Sequence, residues 1–320
     1  GQNQLILRIL RGETITALEW ATSLAAGLVV VAAVWLVAAR LYANEDAIAW
    51  LRRALVLLQE QPATTQRDTT ELALQFALAR LYRITQGWAA PEVEQAVARA
   101  LLLSEKVGDP VQRAEALYGA QTVYVVAAQL DKVESTYREM VQLYMQSQGR
   151  PPPLFAGMMY AGARLYLGQP IEACGLFEQM LATPDEKQAL DLETSQGVNY
   201  LSHGHAWHAH VLWYLGQPIE ALAHATLAVE LAERFRQPFN QALAVTYQAT
   251  LIEMLADFDE FQAYAARAVR LAAEYQAPYY HAWASILTAF GTAWQQPDET
   301  SVQQLRQAIA RFTASGAQAN

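Results

Sequence analysis

Apolar residues recur at three- and four-residue spacings through almost the whole chain, and short breaks of Gly, Pro or polar residues interrupt them at regular distances. That period belongs to amphipathic helices, and the two-residue alternation of strands is absent. The stretch from Leu212 to Ala232 shows the unit most clearly. Trp213 and Tyr214 close one helix, and Gly216 can take the left-handed conformation that ends it. Pro218 has no backbone N–H and suits the first turn of the next helix. Ala221, Ala225 and Ala228 then form a stripe of small residues along which another helix can approach closely.

The same eight-residue word, Tyr-Leu-Gly-Gln-Pro-Ile-Glu-Ala, occurs at Tyr166 to Ala173 and at Tyr214 to Ala221. An identity of that length inside one chain is the mark of a repeat. Turns in the same phase fall at Gly87, Ala128, Gly168, Gly216, Ala256 and Gln296, mostly about 40 residues apart. Pro110, Pro151, Pro238 and Pro278 fall after the second helix of a pair and read as helix stops. The chain is therefore expected to be a series of helical hairpins. Residues 1–60 read as N-terminal helix pairs that cap or start the array, and residues 61–320 as the main superhelical domain. Residues 183–198 are a polar, acidic insert, expected to form a loop on one face.

Composition supports a large helical core, with 53% hydrophobic and 17% charged residues. A formal charge of −9 disfavours a phosphate backbone as partner, so nucleic-acid binding is not expected. The one cysteine, Cys174, excludes an internal disulfide, suits a reducing, cytoplasmic setting, and reads as a small buried apolar residue. The most apolar run, Leu24 to Ala39, is shorter than a bilayer span and reads as a buried repeat helix, so no membrane contact is expected.

The candidates for chemistry are few. No Gly-x-x-x-x-Gly-Lys-Ser/Thr phosphate loop and no Gly-x-Ser-x-Gly nucleophile word occurs. Carboxylates such as Asp257 and Asp298 stand at helix starts, where they favour the positive end of the helix dipole. His203, His205, His208 and His210 invite a metal-dependent enzyme as one alternative. On a helix, however, His203 and His210 share one face and His205 and His208 another. No Cys lies nearby in the sequence, so buried, hydrogen-bonded histidines are the expectation. No catalytic residue, metal or other cofactor is expected.

Small residues at fixed offsets, as in Ala209, Gly216, Ala221 and Ala228, resemble tetratricopeptide (TPR) repeats, with Met180 and Phe261 departing from the pattern. The resemblance implies an all-α, right-handed TPR-like α-solenoid of antiparallel helix pairs. It also implies that the first helix of each pair lines a concave groove. Carried onto this chain, the groove residues include Tyr118, Phe155, Met158, Tyr166, His203, His210, Trp213, Thr250, Trp283 and Phe290. A groove of aromatic and imidazole groups has the make-up of a ligand or peptide site. The words Gly87-Trp88-Ala89-Ala90-Pro91, Gly108-Asp109-Pro110 and His281-Ala282-Trp283-Ala284 resemble the helical-repeat region of large bacterial signal-transducing ATPases with numerous domains (STAND proteins), often fused to cyclases, kinases or transcription regulators. That resemblance implies a non-enzymatic sensor within a larger parent protein. An inducer protein, peptide or small molecule in the groove would release autoinhibition of the parent's ATPase domains. The alternative is a general TPR scaffold for a partner protein.

Overall fold

The computed structural model describes residues 44–149, 152, 154–315 and 317. The run Leu24 to Ala39 lies outside the described residues. The chain divides into two compact units, residues 1–53 and 54–320. In the first unit the described residues, 44–53, are helical. Among the described residues, no helix is long and apolar enough to cross a membrane.

In the second unit helix follows helix in pairs. Helix α1 (Thr65–Gln86) pairs with α2 (Pro91–Val107), α3 (Pro110–Val126) with α4 (Leu130–Gln148), and α5 (Met158–Tyr166) with α6 (Pro170–Leu181). After α7 (Glu186–Gln196), α8 (Tyr200–Tyr214) pairs with α9 (Pro218–Phe235). Then α10 (Pro238–Met254) pairs with α11 (Phe258–Glu274), and α12 (Pro278–Gln295) with α13 (Glu299–Ala314).

The turn residues behave as their phase predicts. Gly168 and Gly216 have φ of 75° and 76°, and Ala128 and Ala256 stand in the same left-handed region at 55° and 58°. Gln296 does not, with φ of −133°. The prolines play a different part from the one expected. Pro110, Pro238 and Pro278 do not stop the preceding helix but occupy the first turn of the next, as do Pro91, Pro170 and Pro218. There the missing N–H costs no hydrogen bond.

Packing follows the small-residue stripes. Ala161, Ala173, Ala209, Ala221, Ala249 and Ala268 are all buried to 2% exposure or less. The two departures from the stripe are answered by glycine on the following first helix. A Cβ at Gly204 would lie 2.5 Å from Met180 Cε, and one at Gly291 would lie 3.0 Å from Phe261 Cε1. Volume added on one helix is removed from its neighbour, as close-packed interiors require.

The insert is not a loop. Asp185 caps α7 by accepting from Gln188 N–H at 2.9 Å, and Gly197 ends it in the left-handed conformation at φ 81°. Helix α7 packs on α8 and reaches α1. From α3 onward each first helix packs on the next first helix, and α12 comes back against α1.

Candidate functional site

The inner helices converge on one recess. It is lined by Thr122, Val125 and Val126 of α3, Met159 and Tyr166 of α5, His203 and Trp207 of α8, Tyr247 of α10, and Tyr279 and Tyr280 of α12. Trp88, in the turn between α1 and α2, closes it. Its free interior is about 30 Å³. That is room for one or two water molecules, so a larger guest would need the aromatic walls to part.

The closure is specific. Trp88 Nε1–H donates to the Tyr280 hydroxyl at 3.1 Å, across 192 residues of sequence. Phe239 packs on both rings, 5.9 Å from Trp88 and 5.3 Å from Tyr280. At Gly87, φ is 102° and a Cβ would meet Tyr279 Cβ at 3.0 Å. The indole of Trp207 lies flat over Gly162, where a Cβ would sit 2.6 Å from Cζ3.

His203 is the imidazole of the recess. It is 4% exposed, and neither ring nitrogen has a hydrogen-bond partner in the protein. Its ring packs 4.6 Å from Trp207 and 5.7 Å from Tyr247. Burial lowers its pKa to about 3, so at neutral pH it offers one N–H and one lone pair. Desolvation pushes the Tyr166 hydroxyl up to about 12 and those of Tyr247 and Tyr280 well above the usual value. The lining is thus neutral, aromatic and rich in hydroxyls. Behind Trp88 lies a buried cation, Arg83, with its guanidinium carbon 5.3 Å from the indole centroid. Burial lowers its pKa to about 10, while the neighbouring Tyr118 opposes the shift.

Of the residues expected to line a groove, Tyr166 and His203 do line the recess. Trp283 does not line it but packs behind the lining, 4.8 Å from the Tyr247 ring. Tyr118 is buried beside Arg83. Met158 is wholly buried in the core and does not line the recess. His210 is likewise buried, its Nε2 3.0 Å from the Tyr247 carbonyl oxygen. Trp213 packs edge-on against Tyr214, Thr250 donates to the Thr246 carbonyl within its own helix, and Phe290 packs on Phe261 and Trp294. Phe155 falls in a short 3-10 turn, Leu154–Gly157, ahead of α5. The expectation did not include Trp88, Trp207, Tyr247, Tyr279 or Tyr280. Trp207 could have been found, because it follows His203 by one helical turn.

The other two histidines of the run point away from the recess, between α8, α6 and α9. His205 Nδ1 lies 2.9 Å from His224 Nδ1, and His208 Nε2 lies 3.5 Å from Cys174 Sγ. Cys174 is buried in the apolar core, as expected, and its sulfur also meets polar groups.

No family model matches the chain, and no curated protein matches it. Among solved structures, the chain is similar to a Rap protein complexed with Competence and Sporulation Factor. The identity is 15%, over 84% of this chain and 74% of that one, with a TM-score of 0.58. A weaker likeness is to BtubC (BKLC) from P. vanneervenii, at 14% identity over 79% of this chain and 91% of that one. Its TM-score of 0.40 is too low to bear on the fold. At such identity the Rap likeness speaks for fold alone, and with the paired helices and buried alanine stripes it makes this an all-α, TPR-like helical-repeat protein.

Proposed function

We propose that this chain is a non-enzymatic binding module that takes a peptide, or an extended segment of a partner protein, on its inner face. One apolar or aromatic side chain of that segment seats at the mouth of the recess and enters as the aromatic walls part. The observation that carries the reading is the convergence of inner helices from five successive pairs on one aromatic lining with an unpartnered imidazole. Aromatic walls with a few polar handles are the usual make-up of such sites. His203 supplies a donor and an acceptor for the backbone or side chain of the guest. The Rap protein solved with Competence and Sporulation Factor lends support from the same kind of fold.

The test is selection of binders from a random peptide library on the wild-type chain. Selected peptides should lose at least tenfold in affinity on Tyr280→Ala or Trp207→Ala. They should be unaffected by Ile219→Ala, whose side chain is 81% exposed at the start of α9. Failure to select any binder, or binders indifferent to both aromatic changes, would refute the proposal.

A finer reading places the module in a STAND-type regulator, with the guest as inducer and the parent's ATPase domains as the target of autoinhibition. Two of the words that carry that resemblance supply Trp88 at the recess and Trp283 behind its lining, against Tyr247. A guest shifts such an equilibrium only if it prefers one state. Removing residues 71–320 from the parent should raise its ATPase rate, and an unchanged rate would exclude this role.

A further inference from the structure

Away from the recess, α6 and α8 pack along a seam. There Cys174 and Glu178, one turn apart on α6, face His208 on α8. One ligand atom from each of the three lies within 4.8 Å of the others. Cys174 Sγ is 3.5 Å from His208 Nε2 and 3.5 Å from Glu178 Oε1.

Those separations have a meaning. A tetrahedral zinc ion with bonds of about 2.3 Å to sulfur and about 2.0 Å to nitrogen or oxygen sets the S···N and S···O edges at roughly 3.5 Å. Two edges of the triangle therefore already have the length that coordination imposes. The third needs only a movement of the Glu178 side chain, which is exposed and able to swing. The surroundings fit as well. His208 is buried, and its Nε2 is the ring atom turned toward Cys174 Sγ. Its ring is also held in place, stacked at 6.0 Å on Phe177 and edge-on at 4.5 Å to His224.

We propose that Cys174, Glu178 and His208 form a binding site for a borderline-soft divalent cation, zinc above all. Water completes the coordination on the exposed side. Sulfur with imidazole selects zinc over magnesium or calcium, which prefer oxygen. On binding, the Cys174 thiol proton passes to solvent and the thiolate bonds the metal. Because α6 and α8 belong to successive pairs, the ion would tie one repeat to the next.

The experiment is a titration of the reduced full chain with Co²⁺, then Zn²⁺, followed by absorption. The expected result is one equivalent bound, with a near-ultraviolet thiolate–cobalt band, tetrahedral visible bands, and displacement by zinc. Cys174→Ser should abolish the thiolate band, and Glu178→Gln, a change at an exposed position that leaves the fold intact, should weaken binding at least tenfold. His208→Asn should do the same. Absence of a thiolate band in the wild type would overturn the site, as would a band that survives both Glu178→Gln and His208→Asn. Neither result bears on peptide capture at the recess, where none of these three residues stands.

Discussion

The sharpest test of the recess is the charge state of His203. The imidazole is 4% exposed, has no protein partner at either nitrogen, and has its pKa lowered by burial to about 3. In the unfolded chain it titrates near its ordinary value of 6.5. Between those values the unfolded chain binds a proton that the native chain refuses. Stability from this group is thus fully present above pH 6.5 and is lost as pH falls toward 3. The slope is about 1.4 kcal/mol per pH unit, so a drop from pH 7 to pH 5 should cost about 2 kcal/mol through His203 alone. Phenylalanine at this position keeps an aromatic ring of similar size, removes the titration, and no longer buries two unpartnered nitrogens. His203→Phe should therefore gain about 2 kcal/mol on the wild type between pH 7 and pH 5. The other depressed histidines, His205, His208, His210 and His224, act in both proteins and cancel in the comparison. Urea unfolding at pH 7, 6 and 5 gives the comparison, and the imidazole proton resonances of the native protein give an independent reading. If the two proteins lose stability in parallel, or the His203 resonance titrates near pH 6 in the folded chain, the recess is open to water and the reasoning fails.

Three further substitutions probe the packing that shapes the site. Gly162→Ala places a methyl 2.6 to 2.7 Å from the rigid Trp207 ring and should cost about 1–3 kcal/mol in chemical denaturation, a penalty that shrinks when Trp207 is also cut to Leu; equal penalties in both backgrounds would show that the indole is not the obstacle. Ala256→Gly relieves a left-handed alanine at φ 58° and should stabilise by up to about 1 kcal/mol, whereas Gly216→Ala, with open space around its Cβ, should lose about that much through the backbone alone. A shift of the same sign in both would contradict the turn geometry. Trp88→Phe removes the N–H donated to Tyr280 and should cost about 1 kcal/mol, with faster amide exchange at the start of α12 as its local sign; unaltered exchange there would mean that the closing contact is not made in solution.

The architecture was legible because its causes are local. Helix period, alanine stripes and left-handed turns each act within one hairpin, so Ala128 and Ala256 could be placed in phase with Gly168 and Gly216. The errors were also local in kind. Pro110, Pro238 and Pro278 read as stops from sequence because a proline that ends one helix and one that begins the next differ by only a residue or two. Helix α7 was hidden by its polar composition, yet Asp185, Gln188 and Gly197 carried an N-cap and a C-terminal glycine that could have been read.

The site was harder, for a different reason. The shared eight-residue word supplies Tyr166, which lines the recess, and Tyr214, which is 58% exposed. Identical local sequence thus yields opposite surroundings. What separates them is position along the superhelix, and that comes from small rotations summed over successive pairs. A pairing one repeat apart, such as Cys174 with His208 at a separation of 34, can be inferred from repeat phase alone. A pairing 192 residues apart, Trp88 with Tyr280, cannot, because a slight error in each rotation would carry the two rings past each other. The residues nevertheless record the closure. Gly87 leaves only 3.0 Å between a would-be Cβ and Tyr279, and Trp88 in a turn would otherwise expose a large indole to water. An open ribbon gives neither residue a reason to be there, and a ribbon closed at α1 and α12 requires both.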